Sequence, residues 1–264
     1  MKQTAWPLLG ASLLLVFPGL AAGEPPDKLG PAPKGFDARR DTAARGKVET
    51  LEYDSRTVGQ KRKLVVYTPP GYSKDARYPV LYLLHGRGGN EANWTRVGAA
   101  AAILDNLYAD RKLAPMIVVM PNGTVTARGG FESELLKDVI PFVESKYRVL
   151  GDREHRAVAG LSVGGAQSLS IGLGHPDRFA WVGAFSAPVR GRGAADLIKD
   201  PRRLRLLWVS CGDRDRLMDG NRRLHEALEE KKVPHVWHVD AGGHEFRVWK
   251  NDLYLLAPML FKDR

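Results

Sequence analysis

The stretch EHRAVAGLSVGGAQSLSIGLGHP, residues 154–176, decides how the rest of the chain is interpreted. Residues 155–159 form a short apolar run that is typical of a buried strand. Residues 163–173 are rich in small and apolar side chains and end before Pro176, as a helix does. Between the two lies the pentapeptide GLSVG at residues 160–164. A strand that turns directly into a helix around a serine holds that serine in strained backbone, with its Oγ exposed.

The G-x-S-x-G pattern in this context predicts the nucleophile elbow of α/β-hydrolases, with Ser162 as the nucleophile. Glycines two residues on either side of the serine let the strand and the helix approach closely. The pentapeptide alone is a weak signal, but the strand before it and the helix after it are both predicted. The alternative is a tight strand–helix turn whose serine has no chemical role.

The remainder of the chain alternates between apolar runs and amphipathic segments. The predicted strands are residues 48–55, 63–68, 79–84, 116–120, 155–159, 180–185, 204–210 and 235–239. The predicted helices are residues 97–113, 131–147, 163–173, 221–231 and 246–261. We therefore expect a single domain with the α/β-hydrolase fold, in which helices cover both faces of a mostly parallel central sheet. In such sheets ligands bind beyond the carboxyl ends of the strands.

The start of the chain predicts export. Residues 1–23 combine Lys2, an apolar core and the small residues Ala21-Ala22-Gly23, which is the pattern of a bacterial signal peptide. Residues 24–46 are rich in proline and glycine and are interpreted as a linker, which leaves residues 47–264 as the α/β-hydrolase domain. We expect a periplasmic or secreted protein without stable membrane association after cleavage. The alternative is an uncleaved membrane anchor.

The distribution of charge and the cysteine count argue against nucleic-acid binding and against an internal disulfide, respectively. The formal net charge of +10 invites a nucleic-acid interpretation, but the basic residues are scattered and no basic helix collects them. We therefore expect no nucleic-acid partner. The single cysteine, Cys211, permits no internal disulfide, and it follows an apolar run that predicts a buried, inert thiol.

A serine nucleophile needs a base, and the chain contains seven histidines. In this fold the order is serine, then acid, then histidine, so the base must come late in the chain. His244 alone lies in a loop after the last predicted strand, within AGGHE at residues 241–245. We predict His244 as the base; the alternative is a surface histidine that caps the final helix.

The acid should follow the preceding strand, in SCGDRDR at residues 210–216. A carboxylate in this loop would fix the imidazole tautomer and stabilise the imidazolium. Asp213 and Asp215 both satisfy this requirement, and their spacing does not separate them. One of the two would then be a turn aspartate that pairs with a neighbouring arginine.

An oxyanion hole needs two convergent backbone N–H groups. One is expected from Val163, the residue after the nucleophile, and the other from the loop after an early central strand. That loop is HGRGG at residues 85–89, and the N–H of Arg87 is the candidate. A phosphate-binding interpretation of these glycines fails, because no lysine follows at the required spacing.

Several segments resemble, in order and spacing, the esterase D-like superfamily, and most closely the family 1 carbohydrate esterases, which include feruloyl and acetylxylan esterases. The segments are YLLHGRGGNEANW (82–94), MPNGT (120–124), FESELLKDVIPFVESKYRV (131–149), AGLSVGGAQSL (159–169), FAWVGAFSAP (179–188), WVSCGDRDRL (208–217) and VPHVWHVDAGGHEFRVWKNDLY (233–254). The resemblance covers roughly residues 47–262. It is most specific around Ser162 and His244.

The resemblance carries four implications. The acid of that family is the last aspartate of its C-G-x-x-D segment, which favours Asp215 over Asp213. The family usually has methionine where this chain has Val163 and a smaller residue where it has Arg87, which bears on substrate choice more than on catalysis. No metal or organic cofactor is implied. The implied substrate is a hydroxycinnamoyl or acetyl ester on plant polysaccharide; the alternatives are a siderophore esterase, an acyltransferase, or a carbohydrate-binding protein without activity.

Overall fold

The structure is a computed structural model that describes residues 29–124, 130–189 and 193–262. The predicted signal peptide at residues 1–23 lies outside the described residues. The described part of the predicted linker, residues 29–46, contains neither helix nor strand. It contacts the domain, since the carbonyl oxygens of Phe36 and Ala38 both accept hydrogen bonds from the Asn106 amide at 2.8 Å. Within the described ranges, no helix combines the length and apolar character that a membrane crossing requires.

Eight strands form one sheet in the described part of the chain. They are β1 (Lys47–Ser55), β2 (Gln60–Thr68), β3 (Val80–Leu84), β4 (Ile117–Pro121), β5 (Arg156–Leu161), β6 (Trp181–Phe185), β7 (Leu206–Gly212) and β8 (Val236–Asp240). Their order is β1-β2-β4-β3-β5-β6-β7-β8. β1 and β2 pair antiparallel, β2 pairs antiparallel with β4, and every pairing from β4 to β8 is parallel. The prediction of a mostly parallel sheet is confirmed.

Helices pack on both faces of this sheet. They are α1 (Asn93–Arg96), α2 (Ala100–Ala109), α3 (Gly130–Glu134), α4 (Ile140–Lys146), α5 (Val163–Gly174), α6 (Gly193–Asp196), α7 (Met218–Glu230) and α8 (Phe246–Leu256). The alternation of side chains along β3 separates two cores. Tyr82 and Leu84 pack with residues of α4, α5 and α7, whereas Leu81 and Leu83 pack with residues of α2 and α8. The predicted two-sided architecture is therefore confirmed.

The predicted helix at residues 97–113 is wrong in its bounds, because α2 covers only Ala100–Ala109 and a break separates it from the short helix α1, which ends at Arg96. The break occurs at Gly98 and at Ala99, whose φ is 50°. A Cβ at Gly98 would lie 2.7 Å from the backbone oxygen of Trp94, so the chain folds back on itself there. Trp94 is buried, and its indole N–H donates to the carbonyl of Leu84 at 3.0 Å. This contact ties the break to the end of β3.

The predicted helix at residues 131–147 is present but contains one wide turn. Pro141 has no N–H to continue the α-helical ladder. The backbone forms a π-helical turn over Leu135–Val139, in which the N–H of Ile140 bonds to the carbonyl of Leu135. Such a bulge adds a residue to the turn without ending the helix. The apolar periodicity that predicts the helix does not reveal this π-helical turn.

The topology gathers four loops at one edge of the sheet. β3, β5, β7 and β8 all run in the same direction, so their carboxyl ends lie at the same edge. The loops that follow them carry Arg87, Ser162, Asp215 and His244, respectively. The parallel sheet thus brings together residues that are up to 157 positions apart in the chain.

Candidate active site

Ser162 joins β5 to α5 in a conformation that L-residues rarely adopt. Its φ is 51° and its ψ is −121°. Its backbone N–H donates to the carbonyl of Phe185 at the end of β6, at 2.8 Å, which holds the turn against the sheet. Such backbone costs about 1–3 kcal/mol and persists only where the surrounding structure enforces it.

The two glycines of the pentapeptide are required because α5 approaches β5 and the end of β3 closely. A Cβ built on Gly164 would lie 2.4 Å from the carbonyl oxygen of His85. A Cβ on Gly160 would lie 2.7 Å from the backbone of Gly164. Any larger residue at either position would push α5 away from β3 and β5, and Ser162 would move with it.

The structure brings Ser162, His244 and Asp215 into one hydrogen-bonded chain. His244 Nε2 lies 2.9 Å from Ser162 Oγ, and His244 Nδ1 lies 2.7 Å from Asp215 Oδ2. Because a carboxylate accepts hydrogen bonds, Nδ1 donates to Asp215 and Nε2 is left to accept the serine proton. The Asp215 side chain is fully buried, and that of His244 is 18% exposed.

Asp213 has a different set of contacts. One of its carboxylate oxygens accepts from the backbone N–H of Gly242 at 2.7 Å, and its side chain is 47% exposed. The loops after β7 and β8 cross closely here, since a Cβ on Gly212 would lie 2.4 Å from the carbonyl oxygen of Gly242. Asp213 therefore fastens the loop that carries His244, whereas Asp215 contacts the imidazole itself.

Trp249, which the sequence does not single out, positions the histidine. Its ring meets the His244 imidazole edge to face, with centroids 4.9 Å apart at 87°. The indole N–H donates to the hydroxyl of Ser186 at 3.1 Å, which fixes the ring in turn. Trp249 lies on α8, one turn after the loop, and no motif marks it in the sequence.

The loop after β3 forms a tight turn beside Ser162. The N–H of Gly89 donates to the carbonyl of Gly86 at 3.1 Å, and Gly88 has a φ of 73°. Positive φ at the third position is typical of a type II turn, which puts Arg87 at its second position. A Cβ built on Gly86 would lie only 3.1 Å from Ser162 Cβ. The exposed Arg87 thus follows directly after the point of contact with the serine.

Val163, the second predicted oxyanion donor, is the first residue of α5. The first N–H groups of a helix have no partner within the helix, and the helix dipole favours negative charge at this end. The N–H of Val163 is therefore suited to an oxyanion that forms beside Ser162.

A second residue that sequence reasoning missed is His85, which is 4% exposed. Its Nδ1 lies 2.7 Å from the carbonyl oxygen of Gly86, and its Nε2 accepts from the N–H of Gly123 at 2.8 Å. These partners require the proton on Nδ1. Since the C=O and N–H of a trans peptide point in opposite directions, anchoring the Gly86 carbonyl also sets the direction of the Arg87 N–H.

Cys211 lies on β7 and is fully buried, as the sequence predicts. Burial raises the pKa of its thiol to about 12, and the negative charge of Asp215 adds to the effect. The thiol therefore stays protonated and is a poor nucleophile.

Comparison with known proteins gives consistent matches. The profile of the Esterase family matches residues 55–258. The chain is 35% identical over 243 residues to the endo-1,4-beta-xylanase/feruloyl esterase of Xylanibacter ruminicola, across 86% of this chain and 33% of that protein. The chain thus corresponds to about a third of that relative's length.

Among solved structures, a ferulic acid esterase aligns with a TM-score of 0.75 and 30% identity, across 83% of this chain and 98% of that one. The family 1 ferulic acid esterase of Anaeromyces mucronatus, solved with ferulic acid, aligns with a TM-score of 0.80 and 24% identity, across 88% and 97%. These alignments confirm the α/β-hydrolase fold and the resemblance to family 1 carbohydrate esterases. With the profile matching most of its length, the chain belongs to the Esterase family.

Proposed function

We propose that this protein is an exported serine esterase that hydrolyses carboxylic esters through an acyl-enzyme. One observation carries the proposal: the hydrogen-bonded chain from Ser162 Oγ through His244 to Asp215, on a serine held in strained backbone. A serine hydroxyl becomes a competent nucleophile only when a base accepts its proton, and this geometry supplies that base. A carbohydrate-binding protein without activity would not need this arrangement of serine, histidine and aspartate.

The proposed mechanism has two symmetrical halves. Ser162 Oγ attacks the ester carbonyl while His244 Nε2 accepts its proton, and Asp215 stabilises the imidazolium that forms. The N–H groups of Val163 and Arg87 donate to the oxyanion of the tetrahedral intermediate. His244 then gives the proton to the leaving alcohol, and the acyl group remains on Ser162. A water molecule, deprotonated by His244, releases the acid by the same steps.

We infer that the ester is a hydroxycinnamoyl or acetyl ester on plant polysaccharide. The support is the name of the Xylanibacter ruminicola relative, a xylanase/feruloyl esterase, and the ferulic acid bound to the Anaeromyces mucronatus enzyme. A siderophore esterase would use the same residues on a different ester. An acyltransferase would use the same acyl-enzyme, with a second alcohol in place of water.

A substrate panel separates these alternatives. We expect the purified protein to release ferulate from methyl ferulate or acetate from acetylated xylan, and to leave a catecholate siderophore ester intact. Chromatography of the products measures each activity, and addition of an acceptor sugar tests whether acyl transfer competes with hydrolysis. Hydrolysis of the siderophore alone would contradict the polysaccharide assignment. Lack of turnover even of p-nitrophenyl acetate would favour the binding-protein alternative.

We propose that residues 1–23 are a signal peptide that directs export. Residues 24–46 are then a linker, and residues 47–264 are the esterase domain. The support is the pattern of Lys2, the apolar core and the small residues that end at Gly23. N-terminal sequencing of protein from the periplasm or medium should find a start between Ala22 and Glu24. Exported protein that still begins at Met1 would exclude cleavage.

Arg87 allows the backbone donor to be tested apart from the side chain. Arg87→Pro removes the N–H, and proline is favoured at the second position of a type II turn, so the loop should keep its shape. Loss of one oxyanion donor should lower kcat by about 10²–10³-fold. Steady-state turnover of p-nitrophenyl acetate measures the effect.

The matched control is Arg87→Ala, which keeps the N–H and removes the guanidinium. It should retain most of kcat on this small neutral ester, while a higher KM on methyl ferulate would indicate a contact between the guanidinium and the phenolic ring. Circular dichroism must show that both variants fold. Equal turnover by folded proline and alanine variants would remove Arg87 from the oxyanion hole.

A further inference from the structure

A second cluster of ligand-type side chains lies where α7 faces the segment before β8. His225 and Glu229 are four residues apart on α7, so their side chains share one face of the helix. His235 directly precedes β8, and its side chain is 1% exposed. One ligand atom from each of the three side chains lies within 4.8 Å of the others.

The two imidazoles face each other through nitrogen atoms. His225 Nδ1 lies 2.8 Å from His235 Nε2, and this Nε2 lies 3.9 Å from a carboxylate oxygen of Glu229. His235 Nδ1 donates to the carbonyl of Val233 at 2.8 Å, which leaves the lone pair of Nε2 directed at the cluster. The second ring is also held, since His225 stacks on Trp237 with centroids 5.1 Å apart and a 7° angle between the planes.

From this geometry we propose that His225, Glu229 and His235 bind a zinc ion, with solvent in the fourth position. Two histidines and one glutamate are an established ligand set for zinc, which forms bonds of about 2.0–2.2 Å to nitrogen and oxygen. A tetrahedral site needs the two nitrogens about 3.4 Å apart, so they must separate by roughly half an ångström. The exposed Glu229 side chain can close the site by rotation.

The outer contact of His235 matches that of a metal site. A zinc-bound histidine commonly donates its other ring N–H to a carbonyl or carboxylate, which fixes the tautomer and the ring orientation. The contact from His235 Nδ1 to Val233 has this arrangement. Without metal, the same two imidazoles share a single hydrogen bond, with one nitrogen as donor and the other as acceptor.

The site is remote from the proposed triad. His235 lies before the amino end of β8 and His244 lies after its carboxyl end, and a strand of five residues spans roughly 17 Å. β8 is also an edge strand of the sheet. Zinc would connect this edge strand to α7, and its role would be to stabilise the fold, independently of the proposed esterase activity.

The test is calorimetric titration of the untagged full-length protein with Zn²⁺. We expect one tight site, and His225→Asn or His235→Asn should weaken it by more than the roughly 10–100-fold that loss of an outer contact costs. Glu229→Gln should weaken binding less than either histidine variant does, because the amide oxygen can still coordinate zinc, although more weakly than the carboxylate. Saturation with Zn²⁺ should raise the Tm of the wild type by on the order of 5 °C, but not that of His225→Asn.

Two controls identify the site. His155→Asn removes an exposed histidine that contacts Asp152 and should leave the affinity unchanged. His244→Asn removes the imidazole beside Asp215 and should also leave it unchanged. Absence of tight binding, or loss of binding only in His244→Asn, would overturn the proposal. His225→Asn should keep wild-type turnover of p-nitrophenyl acetate, which separates this site from the esterase mechanism.

Discussion

Replacing Ser162 with alanine is expected to lower kcat on p-nitrophenyl acetate by about 10⁴–10⁶-fold, because the members of a triad act as one unit. Alanine keeps the Cβ and places no new atom in the turn, so the strained backbone and the fold should persist. Stopped assays over long incubations measure the residual rate, and circular dichroism checks the fold.

The matched control for this variant is Ser168→Ala, on the same helix. Ser168 is buried, and its hydroxyl donates to the carbonyl of Gly164 at 2.8 Å, a bond within α5. Its loss should leave kcat within a few-fold of the wild type. If folded Ser162→Ala keeps more than about a tenth of the activity, Ser162 is not the nucleophile.

The second large effect is expected from Asp215→Asn, which should lower kcat by about 10⁴-fold. The amide keeps the size of the side chain but can donate to His244 Nδ1, which favours the wrong imidazole tautomer. It also carries no charge to stabilise the imidazolium. Turnover of p-nitrophenyl acetate at several pH values measures the loss.

Asp213→Asn is the natural comparison, because it lies two residues away and its amide oxygen can still accept from the N–H of Gly242. We expect a decrease of less than about tenfold, since this change keeps the contact that holds the loop. A reversal of the two effects would make Asp213 the acid, and similar losses would mean that the loop, not the imidazole, had been disturbed.

The fold could be predicted because its signals are local. The apolar runs of β3 and β5 and the amphipathic pattern of α7 lie within single segments of sequence. The break between α1 and α2 is not local in this sense. It depends on Trp94 reaching the carbonyl of Leu84, a contact that no periodicity shows.

The residues of the candidate site also fall into those that the sequence identifies and those that only the structure identifies. Ser162 and His244 stand out because a motif and a chain order single them out, whereas the spacing of Asp213 and Asp215 left the acid open. The register that places Gly212 opposite Asp240 sets how the loops after β7 and β8 meet, and this register is not visible in the sequence. His85 and Trp249 act by contacts across the fold, so only the structure draws attention to them.

The positive φ of Ser162 also has a consequence for how this protein can change. Glycine adopts such backbone without a steric penalty, so Ser162→Gly should make the folded state more stable, by up to the roughly 1–3 kcal/mol that the strained residue costs. Natural proteins commonly hold active sites at some expense of stability. A library of variants selected only for heat resistance would therefore drift towards glycine at position 162, and its most stable members would be inactive.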